Sequence, residues 1–423
     1  MNRIRCKGLW LAVALAVAQV IAPTAASAAE TLAIPGLPPL SQVTVAINSH
    51  PAVAGARAGI NLEQANRKRL NAGPHETMLR FGTLSRHDAL TNRNLQEWDV
   101  MVERPLRWGG KGALDSQLGE QGVDQAKLAV GDARHEAGRS LLRMWFGWLR
   151  AAVQTGHWQE QQALLARQAG LVARRAELGD APRQEQSLAA AAVAQAQYAL
   201  LQAGMRKEVA ASELTNTFPQ IKLPPNPPLV EPVPVAQGLE FWQARIAEQN
   251  HELAIARGEV KRRETLAQRA RADRTPDPAI GVRYGSERAG TERVIGLVLS
   301  ISFSGALRQA GTEAALAQTD IAVQRQAAVQ RRLGAEAAAT FSGAQRSFDS
   351  WRQARVAADA MERNAALSAR AYQLGESSLS ELLAAQRLAI EARLAAAVVQ
   401  LDAAEARYRL LLDAHLLWDM DDD

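Results

Sequence analysis

The chain has 423 residues, 22% of them charged, 47% hydrophobic and only 5% aromatic, with a formal charge of +5. Its length allows one large or two modest domains, and scarce aromatics beside abundant alanine favour helices packed through small side chains over a broad aromatic core. Arg3, Arg5 and Lys7 fall in a segment expected to be removed, so +5 less these three leaves +2; the remaining charges alternate in sign along helical windows, and no nucleic-acid partner is expected.

The first element is a leader. "MNRIRCKGLWLAVALAVAQVIAPTAASAAE" opens with basic residues, runs apolar from Leu9 to Ala22, and reaches Ala26-Ser27-Ala28, a small-residue cleavage pattern. Residues 1–28 are expected to be a signal peptide and the protein to be exported. Cys6, the only cysteine, precedes the apolar stretch, so it is no lipoprotein anchor and leaves with the leader. The mature chain then has no disulfide, no cysteine metal site and no thiol nucleophile. No later run reaches the roughly 18 apolar residues of a membrane-spanning helix.

The mature chain reads as two similar halves. "VAGAR" (Val53–Arg57) echoes "LAIAR" (Leu253–Arg257), "LRFG" (Leu79–Gly82) echoes "VRYG" (Val282–Gly285), and "ELGD" (Glu177–Asp180) echoes "QLGE" (Gln373–Glu376). The separations are 200 residues from Arg57 to Arg257, 203 from Gly82 to Gly285 and 196 from Gly179 to Gly375. Three echoes in one order at nearly constant offset mark an internal repeat. The first repeat is assigned to 29–217 and the second to 237–414, joined by a proline-rich extended strap at 218–236. An acidic tail occupies 415–423.

Within each half the elements follow the same order. A helix is expected at about Val43 to Leu70 and again at about Leu239 to Ala272. Two strands follow, near 77–108 and 278–304. Ile295, Leu297, Leu299, Ile301 and Phe303 alternate with Gly296, Ser300 and Ser302, and Trp98, Val100 and Val102 alternate with Asp99, Met101 and Glu103. Four strands with one apolar face cannot build a sandwich alone. Strands of this length suit a membrane barrel, but about eight is the minimum, so several copies must contribute.

Next come helices without proline, at about Lys111 to Leu178 and Leu307 to Leu374, each roughly 100 Å long at 1.5 Å per residue. Returning helices are expected at about Pro182 to Leu214 and Leu379 to Leu412, with alanine at most apolar positions. The interruptions between them are hairpin tips, near 178–185 and 374–381. Gly375 suits the left-handed residue that ends a helix, and Ser378 with Glu381 fits a capping box that opens the next. In the first tip Gly179 is the terminator, Asp180 the candidate N-cap, and Pro182 sits in the first turn.

No enzyme is expected. His50, His75, His87, His135, His157, His251 and His415 include no two at a metal-ligand spacing, and there is no nucleophile elbow or phosphate loop. No cofactor or resident metal follows from these residues.

These features resemble the TolC-like outer-membrane efflux proteins over essentially the whole mature chain. "AYQLGESSLSELLAAQR" resembles that family's second-repeat tip, and "ERPLRWGGKG" (Glu103–Gly112) resembles the strand-to-helix junction of its heavy-metal, CzcC-like branch. Gly112 stands where that branch usually has arginine, and "SISFSGALRQ" lacks the proline-rich pattern of the second junction. The resemblance implies a mainly α fold with a small β part. Two tandem repeats of helix, β-hairpin, long helix and helix form a homotrimer, closing a 12-stranded barrel in outer-membrane lipid and continuing as an α-helical periplasmic tunnel.

It also implies a passive channel of a tripartite system, docked at its tips to a periplasmic membrane-fusion adaptor and an inner-membrane resistance-nodulation-division (RND) pump. Carried onto this sequence, the entrance positions are Tyr372, Ser377, Glu381, Gln184 and Glu185. The turns offered to an adaptor are Gly179, Asp180, Gly375, Glu376 and Ser378. Heavy-metal cations are the expected cargo. A drug or type I protein-export channel of the same family stays open, as does a periplasmic coiled-coil adaptor or scaffold.

Overall fold

A computed structural model describes residues 34–227, 229–303 and 305–418. The expected leader, 1–28, lies outside them, as do the last five residues of the acidic tail. In chain order the elements are α1 (Leu40–Asn48), α2 (Pro51–Ala72), β1 (Met78–Asp88), β2 (Arg93–Pro105), α3 (Lys111–Glu177), α4 (Arg183–Thr217), α5 (Leu239–Gln249), α6 (His251–Ala272), β3 (Ala279–Glu287), β4 (Glu292–Ser300), α7 (Gly305–Gln373) and α8 (Leu379–Asp413). Helices dominate, and the four strands form one sheet.

Each helix expected at the start of a half is in fact two. Pro51 has no N–H to continue a ladder, and His50 ahead of it accepts the Ala52 N–H at 3.3 Å, so α2 starts afresh there. Asn250 does the same for α6, accepting the Leu253 N–H at 2.8 Å. Both α2 and α6 have 22 residues, and both α4 and α8 have 35. The long helices have 67 and 69 residues, roughly 100 Å of rise each.

The sheet is antiparallel throughout, in the order β1-β2-β3-β4. Its register aligns Phe81, Val100, Tyr284 and Ile295 in one row and Leu79, Val102, Val282 and Leu297 in the next. With side chains alternating along each strand, these rows share a face. That face is uncovered: Leu297 is 84% exposed. The opposite face carries Arg86 paired with Glu97 at 2.9 Å and Arg283 paired with Asp99 at 3.3 Å. Strand β4 stops at Ser300, because β3 offers no partner beyond Ala279. Ile301 and Phe303, expected on the strand, therefore lie past its end. Among the described residues, the outer edges of β1 and β4 have no strand beside them.

The main core lies midway along the long helices. Leu141, Leu142, Trp145, Phe146 and Leu149 of α3 meet Leu401, Tyr408 and Leu412 of α8. The proline-rich strap is pinned to this core by buried Phe218 and Ile221, and Gln400 donates to the Val230 carbonyl at 2.8 Å. The acidic tail does not simply leave the fold: Leu417 and Trp418 are buried in the same cluster. His135 and His415 stack with ring centroids 5.0 Å apart, and His251 meets His415 edge-on at 5.2 Å. Sequence spacing had kept these three apart, yet no group of residues fit to hold a metal ion occurs among the described residues. Burial, with help from the Arg139 charge, pushes the His135 imidazole down to about 4.

Where the sheet meets the helices, the "ERPLRWGGKG" segment makes the turn. Gly109 and Gly110 are both left-handed, with φ of 71° and 75°, which frees the chain to swing from β2 into α3. Lys111 is buried, and its Nζ donates to the Thr275 carbonyl at 2.7 Å and to Asp277 Oδ1 at 2.8 Å. Asp277 also accepts the Trp108 N–H at 3.0 Å and pairs with His75 Nε2 at 2.8 Å. Arg107 bonds the Leu70 carbonyl at 2.7 Å and Asp115 at 3.0 Å. A side chain at position 112 would meet that guanidinium at about 3.2 Å, so the space an arginine would need there is already filled by Arg107.

Candidate functional site at the hairpin tips

Helix α3 starts beside the sheet and ends at the first tip, so both tips lie roughly 100 Å from the strands. The two turns share one backbone design. Gly179 (φ +80°) donates to the Ala176 carbonyl at 3.1 Å, and Asp180 N donates to Arg175 O at 2.8 Å. Gly375 (φ +78°) donates to Tyr372 O at 3.1 Å, and Glu376 N to Ala371 O at 2.9 Å. Both are Schellman motifs, in which a left-handed residue lets the last carbonyls find donors.

The starts of the returning helices differ. Ser378 caps α8: its Oγ accepts the Glu381 N–H at 3.3 Å, while Glu381 Oε2 accepts the Ser378 N–H at 2.9 Å. The expected capping box is present. In the first tip Asp180 is not the N-cap and Pro182 is not inside the helix. Pro182 itself is the extended N-cap residue, with no side-chain bond, and its carbonyl accepts the Glu185 N–H at 3.0 Å. Asp180 is unavailable because Arg175 holds it, Nε to Oδ2 at 2.9 Å and Nη2 to the carbonyl at 3.1 Å.

Arg175 also reaches across to the other hairpin. Its Nη1 donates to the Tyr372 hydroxyl at 2.9 Å, and that hydroxyl donates to Glu185 Oε2 at 3.2 Å. The guanidinium carbon lies 5.8 Å from the Tyr372 ring centre. Partial burial, then the Glu185 charge, holds the Tyr372 hydroxyl above its ordinary pKa, so it stays a donor. Beneath this latch Val172, Ala189, Leu379 and Leu382 form a small apolar cluster that Tyr372 packs against.

Of the expected entrance residues, then, the structure brings Tyr372 and Glu185 together. Glu381 is exposed and occupied by its cap, whose N–H and hydroxyl donors hold its carboxyl below the usual range. Gln184 is exposed. Ser377 Oγ is buried without a hydrogen-bond partner. Sequence reasoning missed Arg175, the residue that joins the two tips. Its counterpart 196 residues on is Ala371, so the repeat gave no hint of it.

No family model matches the chain, and no curated protein matches it. Solved structures do. The outer-membrane channel OprN superposes with a TM-score of 0.77 at 15% identity, covering 90% of each chain. The outer membrane protein VceC of Vibrio cholerae gives 0.72 at 14% identity over 88% of this chain and 95% of VceC. CusC, described for its transmembrane channel formation, gives 0.68 at 14% identity over 88% of this chain and 91% of CusC. The chain has an outer-membrane channel fold. Within that fold the sheet marks one end and the latched tips the other.

Proposed function

We propose that this chain is the outer-membrane component of a tripartite efflux system, a passive conduit served by an inner-membrane RND pump and a periplasmic adaptor. One observation carries the reading: a four-stranded sheet with an uncovered apolar face and two open edges heads helices of roughly 100 Å, in a fold shared with outer-membrane channels over nine-tenths of the chain. An isolated sheet of this kind would expose both its edges and its greasy face. Three copies supply twelve strands, joining each β4 edge to the next β1 edge, with the apolar rows toward lipid and the Arg86, Glu97, Asp99 and Arg283 face toward water.

Along α4, Tyr198, Leu201, Met205 and Val209 form an exposed apolar stripe at helical spacing, suited to a neighbouring copy in the same trimer. At the tips, Tyr372, Ser377, Glu381, Gln184 and Glu185 surround the entrance, and the Arg175–Tyr372–Glu185 latch holds the two hairpins in the closed arrangement. Gly179, Asp180, Gly375, Glu376 and Ser378 form the turns that meet the adaptor. Three-fold repetition turns Glu381 into a ring of negative charge that favours cations. The cargo proposed is heavy-metal cations, supported by the likeness of the Glu103–Gly112 junction to the heavy-metal branch.

The test is mass and conductance together. The mature chain in detergent should scatter light as a trimer and form channels in planar bilayers, and a strain lacking it should become sensitive to metal salts. A monodisperse monomer that keeps its full β content overturns the reading. Sensitivity to drugs instead of metals overturns only the cargo.

A further inference from the structure

We propose that the histidine stack at the end of α8 is an acid-released clasp: at neutral pH it fastens residues 414–418 to α3 and α6, and protonation of His135 lets that segment go. Three elements build the stack. His135 belongs to α3, His251 opens α6, and His415 lies just past the end of α8. The rings meet at 5.0 and 5.2 Å. Gly131, one turn before His135, makes the room, because a Cβ there would lie 2.5 Å from the His251 ring.

The fastened segment is held in a backbone it would not choose alone. His415 and Trp418 are both left-handed, with φ of 55°, a region that residues with a side chain enter at a cost. Burial of Leu417 and Trp418 in the main core offsets that cost. A weakened stack tips the balance toward release.

His135 is the member that must stay neutral. It is 6% exposed, and its Nε2 donates to the Leu412 carbonyl at 3.0 Å, so an added proton must go to Nδ1. Each neighbouring element brings charge. On α3 itself Arg139 opposes the proton, Arg134 aims its Nε at Asn48, and Asp132 and Glu136 lie one turn or less away. From α8, Asp413 stands 3.9 Å from Nε2 and favours it. However, that carboxylate is already shared by Arg139 at 2.8 Å and Arg409 at 2.9 Å. From α6 come His251 and Glu252, the latter paired with Arg332 of α7.

Burial and Arg139 outweigh Asp413, and the imidazole falls to about 4, against 6.5 for an exposed one. The released state thus binds a proton that the fastened state refuses. Fastening is full above about pH 6.5 and is lost as pH falls toward 4. Asp132 has the opposite sign: burial and Glu252 raise its carboxyl, so it cannot be the source of an acid-driven release.

The test labels the mature chain with 5-fluorotryptophan and follows fluorine NMR in detergent micelles. The Trp418 signal is the one missing from Trp418→Phe. Between pH 7 and pH 5 the ratio of fastened to released signal should fall about 30-fold, the ratio set by values of 6.5 and 4. His135→Gln keeps a neutral donor for the Leu412 carbonyl and cannot take up the proton, so its ratio should stay constant over that range. His135→Asn serves if the first variant fails to fold. A wild-type Trp418 signal still wholly fastened at about pH 4.5, or an equal fall in a folded His135 variant, overturns the clasp. Neither outcome depends on conduction, so the clasp and the proposed function fail separately.

Discussion

The junction beneath the sheet and the hairpin tips are both tied by ion pairs, yet the two sets behave differently. At the junction the Lys111 side chain is 2% exposed and that of Asp277 13%. At the first tip the Arg175 side chain is 42% exposed and that of Asp180 73%. Breaking a buried pair strands a charge away from water, whereas solvent takes up the partners of an exposed pair at little cost. The sheet end is therefore locked by its charges, and the tips are only latched by theirs. The proposed conduit, which would hold a fixed pore at one end and open at the other, needs that division.

The largest effect should come from the junction. Asp277→Asn leaves Lys111 buried with Thr275 O and the more exposed Asp273, and should cost about 3–5 kcal/mol. Thermal unfolding of the purified protein should show a clearly lower midpoint, and an unchanged midpoint would mean that the lock is not electrostatic. Acid should then reproduce part of this loss. Burial opposes the charge on Asp277, but the Lys111, Trp108 and His75 donors outweigh it and bring the carboxyl down to about 2. Because the folded value is depressed, this stabilisation of about 2 kcal/mol is present above about pH 4 and lost as pH falls toward 2. Asp277→Asn should lack that acid-dependent component.

Changes at the tips should be smaller and should act on gating. Gly375→Val forces a β-branched residue into the left-handed region, a strain of about 1–2 kcal/mol. It should leave trimers in the membrane but disturb closure, seen as altered single-channel conductance. Tyr372→Phe removes the hydroxyl that joins Arg175 to Glu185, a loss of about 1 kcal/mol. The channel should open more often, with an unfolding midpoint near that of the wild type. The gentlest change is Glu381→Gln, which keeps an acceptor for the Ser378 N–H while removing the charge. Cation preference in planar bilayers should fall without any change in assembly. Were a tip variant to unfold the protein as readily as Asp277→Asn, the contrast between lock and latch would collapse.

Much of the fold was legible because it rests on local rules. Residues with no proline for nearly seventy positions make a long helix, glycine at the left-handed position ends it, and Ser378 with Glu381 restarts the chain three residues later. The alternation around Ile295 and Leu297 fixed which strand face is apolar. Local rules misled where a partner from elsewhere intervened. Asp180 is a good N-cap type, but Arg175 takes its carboxylate. His50 and Asn250 are ordinary residues in helical windows, yet each caps a new helix after a break. The "ERPLRWGGKG" motif stood out, but its Lys111 gains meaning only beside Asp277, 166 residues away.

By itself the sequence determined the periodicity, the glycine stops of the long helices, the capped restart at Ser378, and the faces of the strands, since each depends on neighbours within a few residues. Only the tertiary structure decided that β2 pairs with β3 to make one sheet and that Arg175 meets Tyr372 across the two hairpins. Those contacts join residues far apart in the chain. Their energies depend on burial and on distances of about 3 Å, which no local pattern of residues encodes.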